Sequence, residues 1–275
     1  MKKNYSYQHN WTTFPQYLAA PKPGCLAGPV RHRINFHGNL FVFVAAFLAC
    51  TAWFTGTAAA HDLWLNLDNY LLKSPGKTLA KVVFGHNYPH YGILVSRDQL
   101  NEFFYLTPDG HKKEIDKTWE EFHGESYGRP AGARVGEVRC EQEGTYIVTA
   151  VKKRKGDRLH VPSEKYAKSV IVVGKGSAGI NRVVGHRIEI IPLKNPTEVR
   201  AGQVFPVKVL FEGKPLATYV YGTYAGYASE DEPFPVLARS DENGIARIRI
   251  DRPGTWMVVT NHKVDFSASL TFQIK

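Results

Sequence analysis

The chain has 275 residues, of which 43% are hydrophobic, 12% aromatic and 22% charged, a globular composition that excludes a disordered or collagen-like chain. Its formal charge of +10 suggests nucleic acid until it is divided along the chain, because Lys2, Lys3, Lys22, Arg31 and Arg33 carry half of it in a first stretch that holds no Asp or Glu. The remaining basic residues are scattered, and the one dense run, Lys152–Lys155 with Arg158, reads as a solvated turn between strands, so no nucleic-acid binding is expected.

In chain order, residues 1–60 follow the secretory recipe. Arg31 and Arg33 precede a continuous apolar run from Leu40 to Phe54, shorter than the roughly 20 residues a membrane span needs. Gly56-Thr57-Ala58-Ala59-Ala60 then offers small residues for signal peptidase, with the polar pair His61-Asp62 directly behind. The expectation is a signal peptide with an upstream extension over 1–60, cleaved within Ala58–Ala60, and a periplasmic or secreted chain from His61 onward. Cys25 and Cys50 would leave with the signal. The lone remaining Cys140 can form neither an intramolecular disulfide nor a thiolate zinc cluster.

Past His61, short runs rich in Val, Ile, Phe and Tyr alternate with Gly, Pro, Asp and Asn. Predicted strands are Leu63–Leu67, Leu79–Gly85, Glu102–Leu106, Thr145–Val151 and Ser169–Val173, with Thr107-Pro108-Asp109-Gly110 as a turn. Asp116–Arg134 mixes Gly, Pro and charge and reads as a long loop with one helical turn around Thr118–Phe122. Three glycines in Gly174–Gly179 read as a flexible linker. A second set follows: His186–Ile191, Val204–Phe211, Leu216–Tyr224, Ile245–Ile250, Thr255–Asn261 and Ser269–Ile274. With no amphipathic helix between strands, the expected class is all-β, as two β-sandwich domains in series over 61–175 and 183–275.

No G-x-S-x-G elbow, P-loop, H-E-x-x-H or dinucleotide fingerprint is present, so no enzyme activity is expected. Histidine carries the chemical signal, because neutral imidazole is the commonest metal ligand among side chains. His61, as the first residue after cleavage, offers its α-amine and ring Nδ1 as a chelate, suited with one or two more imidazoles to Cu(II) or Ni(II). His86 and His90 share the turn Phe84-Gly85-His86-Asn87-Tyr88-Pro89-His90-Tyr91-Gly92, and His262 ends a strand of the second half. Protonation of these rings below about pH 6 is expected to release the metal.

These residues stand in a recognisable order. Ala60-His61-Asp62-Leu63-Trp64-Leu65, Phe84-Gly85-His86, Gly185–Pro196 (GHRIEIIPLKNP), Gly202–Leu216 and the closing Pro253-Gly254-Thr255-Trp256 together resemble a family of exported bacterial proteins described as periplasmic components of nickel or cobalt uptake systems. The resemblance covers nearly all of the chain after Ala60. It implies immunoglobulin- or transthyretin-like β-sandwich modules, capture of Ni(II) or Co(II) as cargo, and delivery to a membrane metal transporter. The family's early histidines fall on His61 and His86, and more loosely on His262; His90 and Tyr224 are further contributors without motif support. Two other functions compete. One is a carbohydrate- or protein-binding module without metal, using aromatic residues of Tyr219–Tyr227. The other is a Cu(II) histidine-brace oxidase built on His61.

Overall fold

The computed structural model describes residues 61–158, 161–227, 233–263 and 265–275. The expected signal peptide and its cleavage point fall on residues 1–60 and lie outside the described residues. In chain order the strands are β1 (Asp62–Leu67), β2 (Leu71–Leu72), β3 (Gly76–Gly85), β4 (Gly92–Ile93), β5 (Glu102–Leu106), β6 (Lys112–Glu114), β7 (Thr118–Ser126), β8 (Arg129–Cys140) and β9 (Gly144–Arg154). They continue with β10 (Ser163–Val173), β11 (Ile188–Pro192), β12 (Val204–Phe211), β13 (Lys214–Pro215), β14 (Tyr219–Tyr224), β15 (Val236–Arg239), β16 (Ile245–Arg249), β17 (Gly254–His262) and β18 (Phe266–Ile274). The described chain is thus all-β, with two short 3-10 turns and, among the described residues, no helix long and apolar enough to cross a membrane.

The strands form three sheets. The first runs β1-β3-β4-β8-β7, the central one β15-β14-β17-β18-β10-β9-β5-β6, and the third joins β11, β12, β13 and β16. The central sheet is apolar on both faces, and the alternation along β10 shows how. Tyr166, Val170 and Val172 pack with Ile190, Phe205, Val207 and Ile248 of the third sheet. Ala167, Ile171 and Val173 pack with Leu63, Leu65, Val82 and Val138 of the first. An interior strand with both faces covered reads as a continuous apolar run, as Ser169–Val173 does.

The strands form the all-β sandwich class expected from the sequence, and the halves expected over 61–175 and 183–275 share the central sheet. β10, from the first half, pairs in parallel with β18, from the end of the second, in register from Glu164↔Phe266 to Ser169↔Thr271. The described residues from His61 to Lys275 therefore form one compact unit with a shared middle layer. The glycine-rich stretch between the halves is pinned rather than loose. The Gly174 N–H donates to Leu72 O, the Thr145 N–H to Ala178 O, and Arg182 Nη2 to Pro108 O, at 2.8–3.0 Å.

The expectation for Asp116–Arg134 is corrected, for it is no loop. β7 and β8 pair from Thr118↔Gly136 to Ser126↔Arg129, forming a hairpin closed by Tyr127-Gly128. Both turn residues have positive φ, 53° and 67°, as a two-residue type I′ turn requires. β7 is largely exposed, so burial gives it no periodicity for a sequence reading to find.

Candidate functional site

The site starts from strand register. β1 and β3 pair antiparallel with Leu63↔Phe84 and Asp62↔Gly85, so one further step sets His61 opposite His86. On one face of an antiparallel pair, opposite side chains are direct neighbours. The two imidazole rings accordingly lie 3.9 Å apart between centroids. Glycines keep the loop after β3 tight. A Cβ on Gly92 would come within 2.3 Å of Phe84 O and 2.8 Å of Gly85 Cα. The chain leaves the strand at Gly85, carries His86 and rejoins the sheet at Gly92.

The His61 ring also stacks on Phe84 at 5.0 Å, and Tyr127, at the tip of the β7–β8 hairpin, meets His61 and His86 edge-on at 5.8 and 5.9 Å. His61 Nε2 is buried and has no hydrogen-bond partner. Burial first, then the nearby His86, Lys165 and Arg129, hold the His61 imidazole down to about 4. It is therefore neutral at physiological pH with a lone pair to donate, and its protonation begins lower than the free-imidazole value of about 6.5 suggests. Next to it, burial pushes the Asp62 carboxyl up to about 6, against the pull of Lys165, and its Oδ1 also lacks a partner.

His61 forms part of the wall of a cleft of about 700 Å³ between the hairpin and the ends of β9 and β10. Arg129, Lys152, Arg154 and Lys165 also line it; the carboxylate among its lining residues, Glu120, is bonded to Arg134. Burial, then mutual repulsion with Arg154 and Lys165, lowers the Lys152 ammonium pKa. Lys165 is lowered by burial and Arg154, against the attraction of Asp62. The run Lys152–Lys155, expected as a solvated turn, thus sends Lys152 and Arg154 into this wall. Sequence reasoning missed the four cations because they come from three separate strands and the cluster exists only after folding.

The other predicted residues are elsewhere. His90 is exposed in the loop, its N–H donating to Asn87 O at 2.7 Å. His262 packs its ring on Phe211 at 4.4 Å, beside β12 of the third sheet, and has no ring contact with His61 or His86. Tyr224 is buried against Trp256 at 4.9 Å, so the Tyr219–Tyr227 stretch is half core, although Tyr219 is exposed. His186, from the GHRIE motif, serves the core: its Nε2 lies 3.2 Å from Thr149 Oγ1. Glu189 of the same motif pairs with buried Lys168 and accepts the Val184 and Gly185 N–H groups. Among the described residues no group of three or more His, Cys, Asp or Glu side chains converges on a metal-sized space.

Comparison with known proteins adds a family and distant structural likenesses. The chain is similar to the mouse nectin-like molecule 4 ectodomain at 11% identity over 78% of this chain and 63% of that one, with a TM-score of 0.23. It is similar to the Yersinia pseudotuberculosis adhesin InvE at 7% identity over 78% and 58%, TM-score 0.23, and to an amphioxus IgVJ-C2 molecule at 12% over 74% and 99%, TM-score 0.21. The chain spans less than two thirds of the first two, and likeness of this degree bears on neither ligand nor partner. No curated protein matches it. A family model, the domain of unknown function DUF4198, matches residues 58–264, and the chain belongs to that family.

Proposed function

We propose that this is a periplasmic protein that binds a divalent transition metal, Ni(II) or Co(II), as cargo for a membrane metal transporter. One observation carries the reading: His61 and His86 face each other at 3.9 Å, with His61 neutral and its Nε2 buried without a partner. Two imidazoles are one short of a usual nitrogen set. Cleavage between Ala60 and His61 would add the missing donor, the α-amine of His61, on the same residue. Neutral nitrogen donors favour late divalent metals over Mg(II) or Ca(II), which take oxygen. The secretory pattern of residues 1–60 supports a location outside the inner membrane.

The test is native mass spectrometry of the exported protein with and without Ni(II). A chain that begins at His61, holds one Ni(II), and binds it at least 10-fold more weakly as His86→Ala or His61→Ala bears the reading out. A processed chain that binds neither Ni(II) nor Co(II) overturns it. The same amine-plus-two-imidazole set also suits Cu(II), and a copper-loaded protein that turns over with oxygen would move the reading to the histidine-brace enzyme.

A further inference from the structure

The cations of the cleft stand in a register that the β9–β10 pairing imposes. Lys152 of β9 is directly opposite Lys165 of β10, and Arg154 is opposite Ser163. Side chains alternate along a strand, so Lys152 and Arg154 leave β9 on one face, the cleft face that Lys165 and Ser163 share on β10. Like charges directly opposite each other destabilise a sheet. The next strand, β18, sets an uncharged Ser267 beside Lys165, whose Nζ donates to Ser267 Oγ at 3.2 Å. Arg129, at the start of β8, adds a fourth cation, while Glu120, the carboxylate among the lining residues, is engaged by Arg134. Burial first, with repulsion from Arg154, lowers both ammonium pKa values, although Asp98 draws on Lys152 and Asp62 on Lys165. Cations held together in this way are relieved by an anion among them.

The rest of the lining sets the ligand's size and polarity. At about 700 Å³ the cleft far exceeds a phosphate or sulfate ion and falls in the range of sites for small organic molecules. Ile93, Leu94 and Phe122 give it apolar surface, and Ser96, Gln99 and Ser163 give uncharged hydrogen-bonding groups. Arginine takes a carboxylate through two parallel N–H···O bonds, and lysine takes it as a point charge. We propose that the cleft binds an organic anion carrying two or more carboxylates. Arg129, Lys152, Arg154 and Lys165 hold its oxygens, and the apolar residues face its carbon frame. The site needs no metal and makes no use of the His61–His86 pair.

The experiment is calorimetric titration of the full chain, purified after export and stripped of metal over a chelating resin, with citrate, tri-galacturonate and inorganic phosphate at neutral pH. Citrate and tri-galacturonate present carboxylates on a free acid and on a saccharide. Binding of either, one per chain, supports the site and tells which source it takes. K152Q/K165Q should weaken that binding by about 10-fold or more, and so should R129Q/R154Q. Arg129 and Arg154 are exposed, so the second variant carries the test if the first fails to fold. The anion that binds should also raise the Tm of the parent and leave that of each variant unmoved. Phosphate binding as tightly as the carboxylates would mean an unselective patch of charge and overturns the proposal. So does failure of both citrate and tri-galacturonate to bind, or binding by the folded variants equal to the parent's. Each of these failures leaves Ni(II) capture standing, because the metal-stripped chain does not test it.

Discussion

At the scale of single residues, the motif histidines divide into two kinds by what faces them. His61 keeps an unpartnered nitrogen at the cleft, whereas His186 is enclosed by the Tyr166 ring at 4.9 Å and Thr149. Burial, then Lys168, hold the His186 imidazole down to about 4, against the attraction of Glu189. The unfolded chain therefore takes up a proton at His186 near pH 6.5 that the folded chain refuses until about 4, and stability falls as pH drops through that window. Full expression of the shift is worth on the order of 3 kcal/mol. Equilibrium urea unfolding of His186→Gln should lose less stability between pH 6.5 and 4 than the parent. Asp62 works the other way, since a carboxyl raised to about 6 gains stability as pH falls, and the parent–variant comparison subtracts it. Equal pH slopes in the two proteins would show that His186 is not held neutral.

At the scale of elements, the β7–β8 hairpin carries a local conflict. Tyr127 adopts φ 53°, a left-handed conformation that costs a non-glycine residue about 1–3 kcal/mol, and it does so where its ring meets both histidines. Asn-Gly is the preferred pair for such a turn. Tyr127→Asn should raise Tm by about 2–4 °C for each kcal/mol of relieved strain. A fall in Tm on thermal unfolding would mean that ring contact with the histidines outweighs the strain. This hairpin also marks where the sequence was hard to read. β12 was legible to the residue because one face is buried, which prints alternation on the sequence, and β5 because a short Phe-Phe-Tyr run ends at a Pro-Asp-Gly turn. β7 has no buried residue, and its turn is Tyr-Gly rather than Asn-Gly, so neither signal exists. The His61–His86 pairing was readable in part: both residues were visible as metal-competent, but their opposition follows from the β1–β3 register. The cationic wall depends on tertiary packing of β8, β9 and β10, and its one linear trace is the Lys152–Lys155 run.

At the scale of the molecule, the middle sheet couples two cores. Leu65 lies in the core beneath the first sheet and Ile248 in the core beneath the third, both fully buried. Leu65→Ala and Ile248→Ala should each cost about 2–5 kcal/mol and lower the same single calorimetric transition. Two transitions, each sensitive to one substitution, would mean that the two halves unfold independently despite the shared sheet. The glycines of 174–179 suggested that picture because composition alone cannot distinguish a free linker from one pinned at Leu72, Pro108 and Thr145. The parallel pairing of β10 with β18 also has a kinetic consequence. Ser169 and Thr271, hydrogen-bonded neighbours in the finished sheet, are 102 residues apart in the chain. Until Phe266–Ile274 has left the ribosome, β10 lacks this neighbour and the core that holds Leu270, Phe272 and Ile274 cannot close. Contacts so distant in sequence fold slowly, which leaves the second half of the nascent polypeptide a thread for longer than an autonomous domain would remain one.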